Sequence, residues 1–222
     1  MTRSYQQRCY IARALDVLGE RWTFLILREL ALGPRRYSEI LASLPGIGTS
    51  LLASRLKHLE AHGVVRRTTP TGAGRIAGYE LAERGIVLMP VLASLAEWGA
   101  DVEETSPEYA DRTSWRLVAM RLTAPQDAAQ FNALTQLVVD DEVFWLIGDG
   151  EQAQVHRGIA PLRPDLRLLC NRDTLTLLAK GRVSVEDAMA AGDLVVEGEP
   201  GDAQAFFDVF TLPGARDQST SK

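Results

Sequence analysis

Several donor-rich side chains fall close together before residue 76. Thr49, Ser50, Ser54, Arg55, Lys57 and His58 lie between Gly48 and Gly63; Arg66, Arg67 and Arg75 follow, and Arg35 and Arg36 precede. Guanidinium and hydroxyl groups donate hydrogen bonds to phosphate oxygens and to base edges, so this set suits holding a polyanion rather than breaking a bond. Bond-breaking sets are missing. The sequence contains no Gly-x-x-x-x-Gly-Lys loop, no His-Glu-x-x-His, no Cys-x-x-Cys and no Gly-x-Ser-x-Gly elbow. Asp140-Asp141-Glu142 and Glu186-Asp187 read as turn and cap acids, and His156 as an exposed polar strand residue. The expectation is a protein that is not an enzyme, with no catalytic residue, metal or cofactor.

Charge supports a polyanion partner for one part only. The net charge of −5 divides into 13 Lys/Arg against 7 Asp/Glu up to Arg84, and 11 against 22 thereafter. The basic part can meet nucleic acid despite the acidic total, because counter-ion release depends on the face presented. Cys9 and Cys170 lie far apart, which argues against a disulfide framework and fits a reducing cytoplasm. No apolar run approaches the length of a membrane span, and the N-terminus lacks a secretory pattern, so the expected partners exclude a membrane.

Four helices and a hairpin must position the basic set. Ile11, Leu15 and Leu18 mark one helical face, and Trp22, Leu25, Ile26 and Leu30 a second that stops at Gly33-Pro34. Ser38 is placed to cap a third helix, and Pro45-Gly46-Ile47-Gly48 makes a turn. Thr49 or Ser50 then caps a fourth helix, with Leu52, Leu56 and Leu59 inward. Residues 64–69 and 75–81 form a hairpin around Pro70–Gly74, and a helix from about Ala82 to Asp101 meets a kink or late start at Pro90. This is a winged helix-turn-helix pattern. Its fourth helix would enter the major groove, its hairpin arginines would meet the backbone, and Arg35-Arg36 would add phosphate contacts. Arg55 is equally placed to pair with an acid of its own domain.

Residues 9–19, Arg21-Trp22-Thr23, Leu27–Leu30, Gly33–Glu39 and Leu52–Gly63 closely resemble the HxlR family of bacterial regulators. The resemblance implies a winged-helix dimer on a palindromic operator in double-stranded DNA. The first and last helices would pair across a two-fold axis through Ile11, Leu15, Leu92, Leu95 and Trp98. Cys9 matches a cysteine that some members use to sense oxidants or electrophiles, so a redox-sensing regulator is the alternative; a non-DNA-binding ligand carrier or assembly module is the other.

The expected organisation is α+β: a winged-helix domain over 8–101, a linker over 102–114, a small sheet domain over 115–212 and a tail over 213–222. Residues 115–122 fit a helix or a strand, with helix preferred, and a three-strand meander, a strand, two helices, a strand and a helix follow. Leu175–Gly181 and Asp187–Gly198 resemble the sterol carrier protein type-2-like fold. That resemblance implies a hydrophobic cavity for an apolar small-molecule effector, lined by Phe131, Trp145, Phe206, Phe207 and Phe210.

Overall fold

Leu52, Leu56 and Leu59 follow helical spacing, and all three are fully buried. They anchor the first of two units, Met1–Leu92 and Ala93–Lys222. The computed structural model describes residues 4–69, 77–102, 110–148, 150 and 153–214. Among these, no helix is long and apolar enough to cross a membrane.

The first unit comprises α1 (Tyr10–Leu18), α2 (Thr23–Leu30), α3 (Tyr37–Ser43), α4 (Thr49–Ala61), β1 (Val65–Thr68), β2 (Gly78–Leu81) and α5 (Glu83–Ile86), and α6 (Met89–Ala100) begins within it. Ile26, Leu27 and Leu30 of α2, Ile40 of α3 and the three leucines of α4 are at most 2% exposed and form its core. Leu25, expected in the buried stripe, is 39% exposed because α2 turns Leu27 inward instead. Helix α1 buries only Ala12, so the expected Ile11/Leu15 face is left uncovered.

Two helix starts differ from expectation. Helix α3 is capped at Arg36 rather than Ser38, because the Glu39 carboxylate accepts the Arg36 backbone N–H at 2.7 Å. Helix α4 is capped at Gly48, which leaves Thr49 and Ser50 as its first two helical residues. The late start expected at Pro90 is realised: α6 opens at Met89 and carries Pro90 in its first turn, where no intrahelical N–H is required.

The second unit contains α7 (Thr113–Thr123), a 3-10 turn (Gln126–Gln130), β3 (Thr135–Val139), β4 (Glu142–Gly148), β5 (Ala153–Arg157), β6 (Leu166–Cys170), α8 (Arg172–Ala179), α9 (Val185–Ala191), β7 (Leu194–Glu197) and α10 (Pro200–Val209). The strands lie in the order β5-β4-β3-β6-β7, antiparallel except for β3 with β6. Local signals set the helix ends. The Ser184 hydroxyl accepts the Asp187 N–H at 3.0 Å, and Gly192 closes α9 at φ 78°, a left-handed conformation natural to glycine.

Strand alternation corrects the expected cavity lining. Phe144, Leu146 and Gly148 are buried, whereas Trp145 between them points to the other face and is only half-buried. It stacks on His156, its register partner on β5, with ring centroids 4.1 Å apart. Phe131, Phe206, Phe207 and Phe210 instead form an aromatic cluster with centroid separations of 4.9–5.8 Å. Phe206 and Phe210 are fully buried, so these rings fill the core rather than line a space shared with Trp145. His156, read from sequence as exposed, is half-buried under that stack.

Candidate nucleic-acid interface

The inward leucines of α4 determine which of its residues reach solvent. Thr49, Ser50, Ser54 and Lys57 are exposed; Ser50, Ser54 and Lys57 form a polar edge opposite Leu52, Leu56 and Leu59, and Thr49 opens the helix. Ala53, a small side chain, is exposed beside them. Such an edge fits a groove about 12 Å wide. The Tyr37 hydroxyl donates to the Thr49 carbonyl at 2.6 Å and ties the first turn of α4 to α3.

Two other expected contacts lie on the flank of α4. The Arg55 guanidinium is 17% exposed and pairs with Glu20 at 2.8 Å, the alternative already open in the sequence. His58 is half-buried and donates from Nε2 to the Val17 carbonyl of α1 at 3.2 Å. Its ring lies 4.4 Å from that of His62. Both residues brace α4 against the preceding chain.

The wing is a two-stranded antiparallel ribbon in which Arg66 faces Glu80 and Arg67 faces Tyr79. Arg66 pairs with Glu80 at 2.7 Å and Arg67 with Glu60 at 3.4 Å, yet both side chains stay about two-thirds exposed. Exposed ion pairs contribute little, about 0–1 kcal/mol, so either arginine can exchange its carboxylate for a phosphate. Arg75 lies outside the described residues.

Arg36 is exposed at the start of α3, but Arg35 points inward. Its side chain is 13% exposed and paired with the fully buried carboxylate of Glu29. The sequence reading missed Glu29 and Tyr37. The signal for Glu29 was an acid inside the apolar run of α2, six residues before a basic pair.

Ile11 at 71%, Leu15 at 40%, Leu95 at 45% and Trp98 at 72% are exposed, whereas Leu92, expected beside them, is 6% exposed and belongs to the core. Cys9 is exposed at the start of α1, where the backbone N–H groups of Ala12 and then Ile11 hold its thiol below the ordinary thiol range. Among the described residues, no group of three His, Cys, Asp or Glu could hold a metal ion.

The first unit has well-defined relatives. A family model described as HxlR-like helix-turn-helix matches residues 17–107. The HTH-type transcriptional regulator YvaP of Bacillus subtilis is 39% identical over 100 residues, covering 45% of this chain and 90% of YvaP. The regulator sll1512 of Synechocystis is 38% identical over 101 residues, covering 45% of this chain and 75% of its own. The solved structure of quinone-bound YodB from Bacillus subtilis is 34% identical, with a TM-score of 0.37 over 42% of this chain and 99% of YodB. With nine-tenths of YvaP matched at this identity, the chain belongs to the HxlR-like helix-turn-helix family of transcriptional regulators.

Proposed function

We propose that this regulator acts as a dimer that lays α4 in the major groove of a palindromic operator and β1 along the DNA backbone. One observation carries the reading: α4 keeps Ser50, Ser54 and Lys57 exposed opposite three fully buried leucines and Thr49 exposed at its start, with Arg66 and Arg67 exposed in the strand that follows. Arg36 is a further phosphate contact. Dimerisation is supported by the large exposed side chains Ile11 and Leu15 on α1 and Leu95 and Trp98 on α6, which an isolated chain leaves in water.

The second unit is the receiving domain for an apolar effector in this proposal, which rests on the sequence resemblance to sterol-carrier-like domains. An entrant between the sheet and α10 must displace the rings of Phe206 and Phe210, since both are fully buried. A redox response is a second reading, favoured by the exposed Cys9 thiol and the N–H groups that stabilise its thiolate.

The experiment is a mobility-shift titration of the full chain on promoter DNA adjoining its gene, at two salt concentrations with non-specific competitor. Tight, competitor-resistant binding that weakens steeply with salt is expected. Binding no better than competitor, on that fragment and on a genome-wide fragment pool, would put the carrier or assembly reading first. A Cys9→Ser variant whose DNA binding still responds normally to oxidants would end the redox reading.

A further inference from the structure

The carboxylate of Glu29 on α2 is fully buried. A charge in that position is tolerated only with partners held around it. Arg28 donates to its Oε1 from Nε at 3.2 Å and Nη2 at 2.9 Å, and Arg35 donates from Nη1 to its Oε2. The same Arg35 nitrogen reaches the hydroxyl of Ser43, the last residue of α3, at 3.0 Å. The Arg35 backbone also exchanges both hydrogen bonds with Tyr79 of β2, at 2.9 and 2.8 Å. A Cβ on the adjacent Gly78 would stand 2.2 Å from the Arg35 carbonyl oxygen, so that approach requires glycine. The Tyr79 ring in turn lies 5.4 Å from the Arg67 guanidinium.

One residue thus joins α2, the end of α3 and the wing. Ser43 leads through only five residues, 44–48, into α4, so holding Ser43 holds the start of the recognition helix. Holding Tyr79 holds β2 and, through its register with β1, Arg66 and Arg67. We propose that the buried Glu29–Arg35 pair is a positioning device that sets the wing against α4, so that both residues govern DNA affinity without touching DNA. The inference rests on the DNA-binding reading above and takes Arg35 out of the phosphate-contacting set.

The test uses the full chain, an operator fragment recovered from the titration above, and the dependence of log Kd on log salt. Arg66→Ala with Arg67→Ala lowers that slope by about 0.9 for each phosphate that is no longer neutralised. Glu29→Gln and Gly78→Ala are each expected to lower it by the same amount as the arginine pair. Adding the arginine pair to either variant is expected to change little more, because the wing has already left the backbone. Gly78→Ala leaves the buried charge paired and carries the test alone if Glu29→Gln melts at the assay temperature. A wild-type slope in Gly78→Ala, or effects that add fully with those of Arg66 and Arg67, would overturn the proposal. So would an Arg35→Ala variant whose slope falls by a single phosphate's share while the wing contribution stays intact. A wild-type chain that binds no fragment removes the DNA-binding reading itself, and this inference with it.

Discussion

The Tyr37 hydroxyl donates to the carbonyl oxygen of Thr49 at 2.6 Å, so the first residue of α3 is bonded to the first residue of α4. The turn between the two helices contains Pro45, Gly46 and Gly48, whose local preferences specify a turn but not which side chains meet across it. This long-range hydrogen bond therefore helps to fix where α4 begins. Tyr37→Phe is expected to fold, to lose about 1 kcal/mol of stability in denaturant unfolding, and to bind operator DNA several-fold more weakly. Unchanged affinity would remove Tyr37 from the set that positions α4.

The phosphate and base contacts proposed for α4 differ in the salt and sequence dependence expected of them. Lys57, exposed one turn beyond Ala53, is expected to act on the backbone. Lys57→Ala should weaken specific and non-specific duplexes alike and lower the salt slope by about 0.9. Ser50→Ala and Ser54→Ala, nearer the helix start, should leave the slope unchanged while altering preference among operator variants. A slope change in the serine variants instead would move those residues to the backbone.

Exposure divides the expected dimer residues into two groups with opposite phenotypes. Ile11 is 71% exposed, so Ile11→Glu should preserve the melting temperature of the monomer and abolish the dimer in sedimentation equilibrium. Leu92 is 6% exposed, and Leu92→Ala should cost about 2–5 kcal/mol of stability as a core truncation. A dimer that survives Ile11→Glu would take α1 out of the interface.

The two thiols should differ sharply in reactivity. The N–H groups of Ala12 and Ile11 favour the thiolate of exposed Cys9, whereas burial, and then the Asp140 charge, push the Cys170 thiol up to about 12. Iodoacetamide at neutral pH is expected to label Cys9 quickly and Cys170 only after unfolding. Equal labelling of both in the folded chain, read by mass spectrometry, would contradict these environments.

His156 should make the second unit sensitive to acid. Burial first, and then the positive charge of Arg121, hold its pKa below the ordinary 6.5. On acidification the unfolded chain therefore takes up the proton before the folded one does. The stability contribution is present above about 6.5 and is lost as pH falls through the lower folded value. Melting temperature should drop more steeply below that pH in the wild type than in His156→Gln, and parallel curves would exclude the effect.

Much of the fold was legible in the sequence, because it depends on residues within a turn of one another. The leucine spacing of α4 and the proline-delayed start of α6 are of this kind. The polar edge of α4 was legible for the same reason: helical geometry places Ser50, Ser54 and Lys57 opposite the leucines. Other features depend on which distant residue arrives beside a side chain, and sequence spacing carries no such information. Arg35 and Arg36 are adjacent basic residues, and only the arrival of Glu29, Ser43 and Tyr79 turns the first inward while the second stays in water. Trp145 and the phenylalanines of α10 share a composition but not a face, since strand parity and the register of β4 with β5 pair Trp145 with His156. Local order along the chain thus specifies the elements and the chemistry they carry. Which of the charges can reach DNA follows from long-range packing, because desolvating a guanidinium is tolerated only where folding brings a carboxylate to meet it.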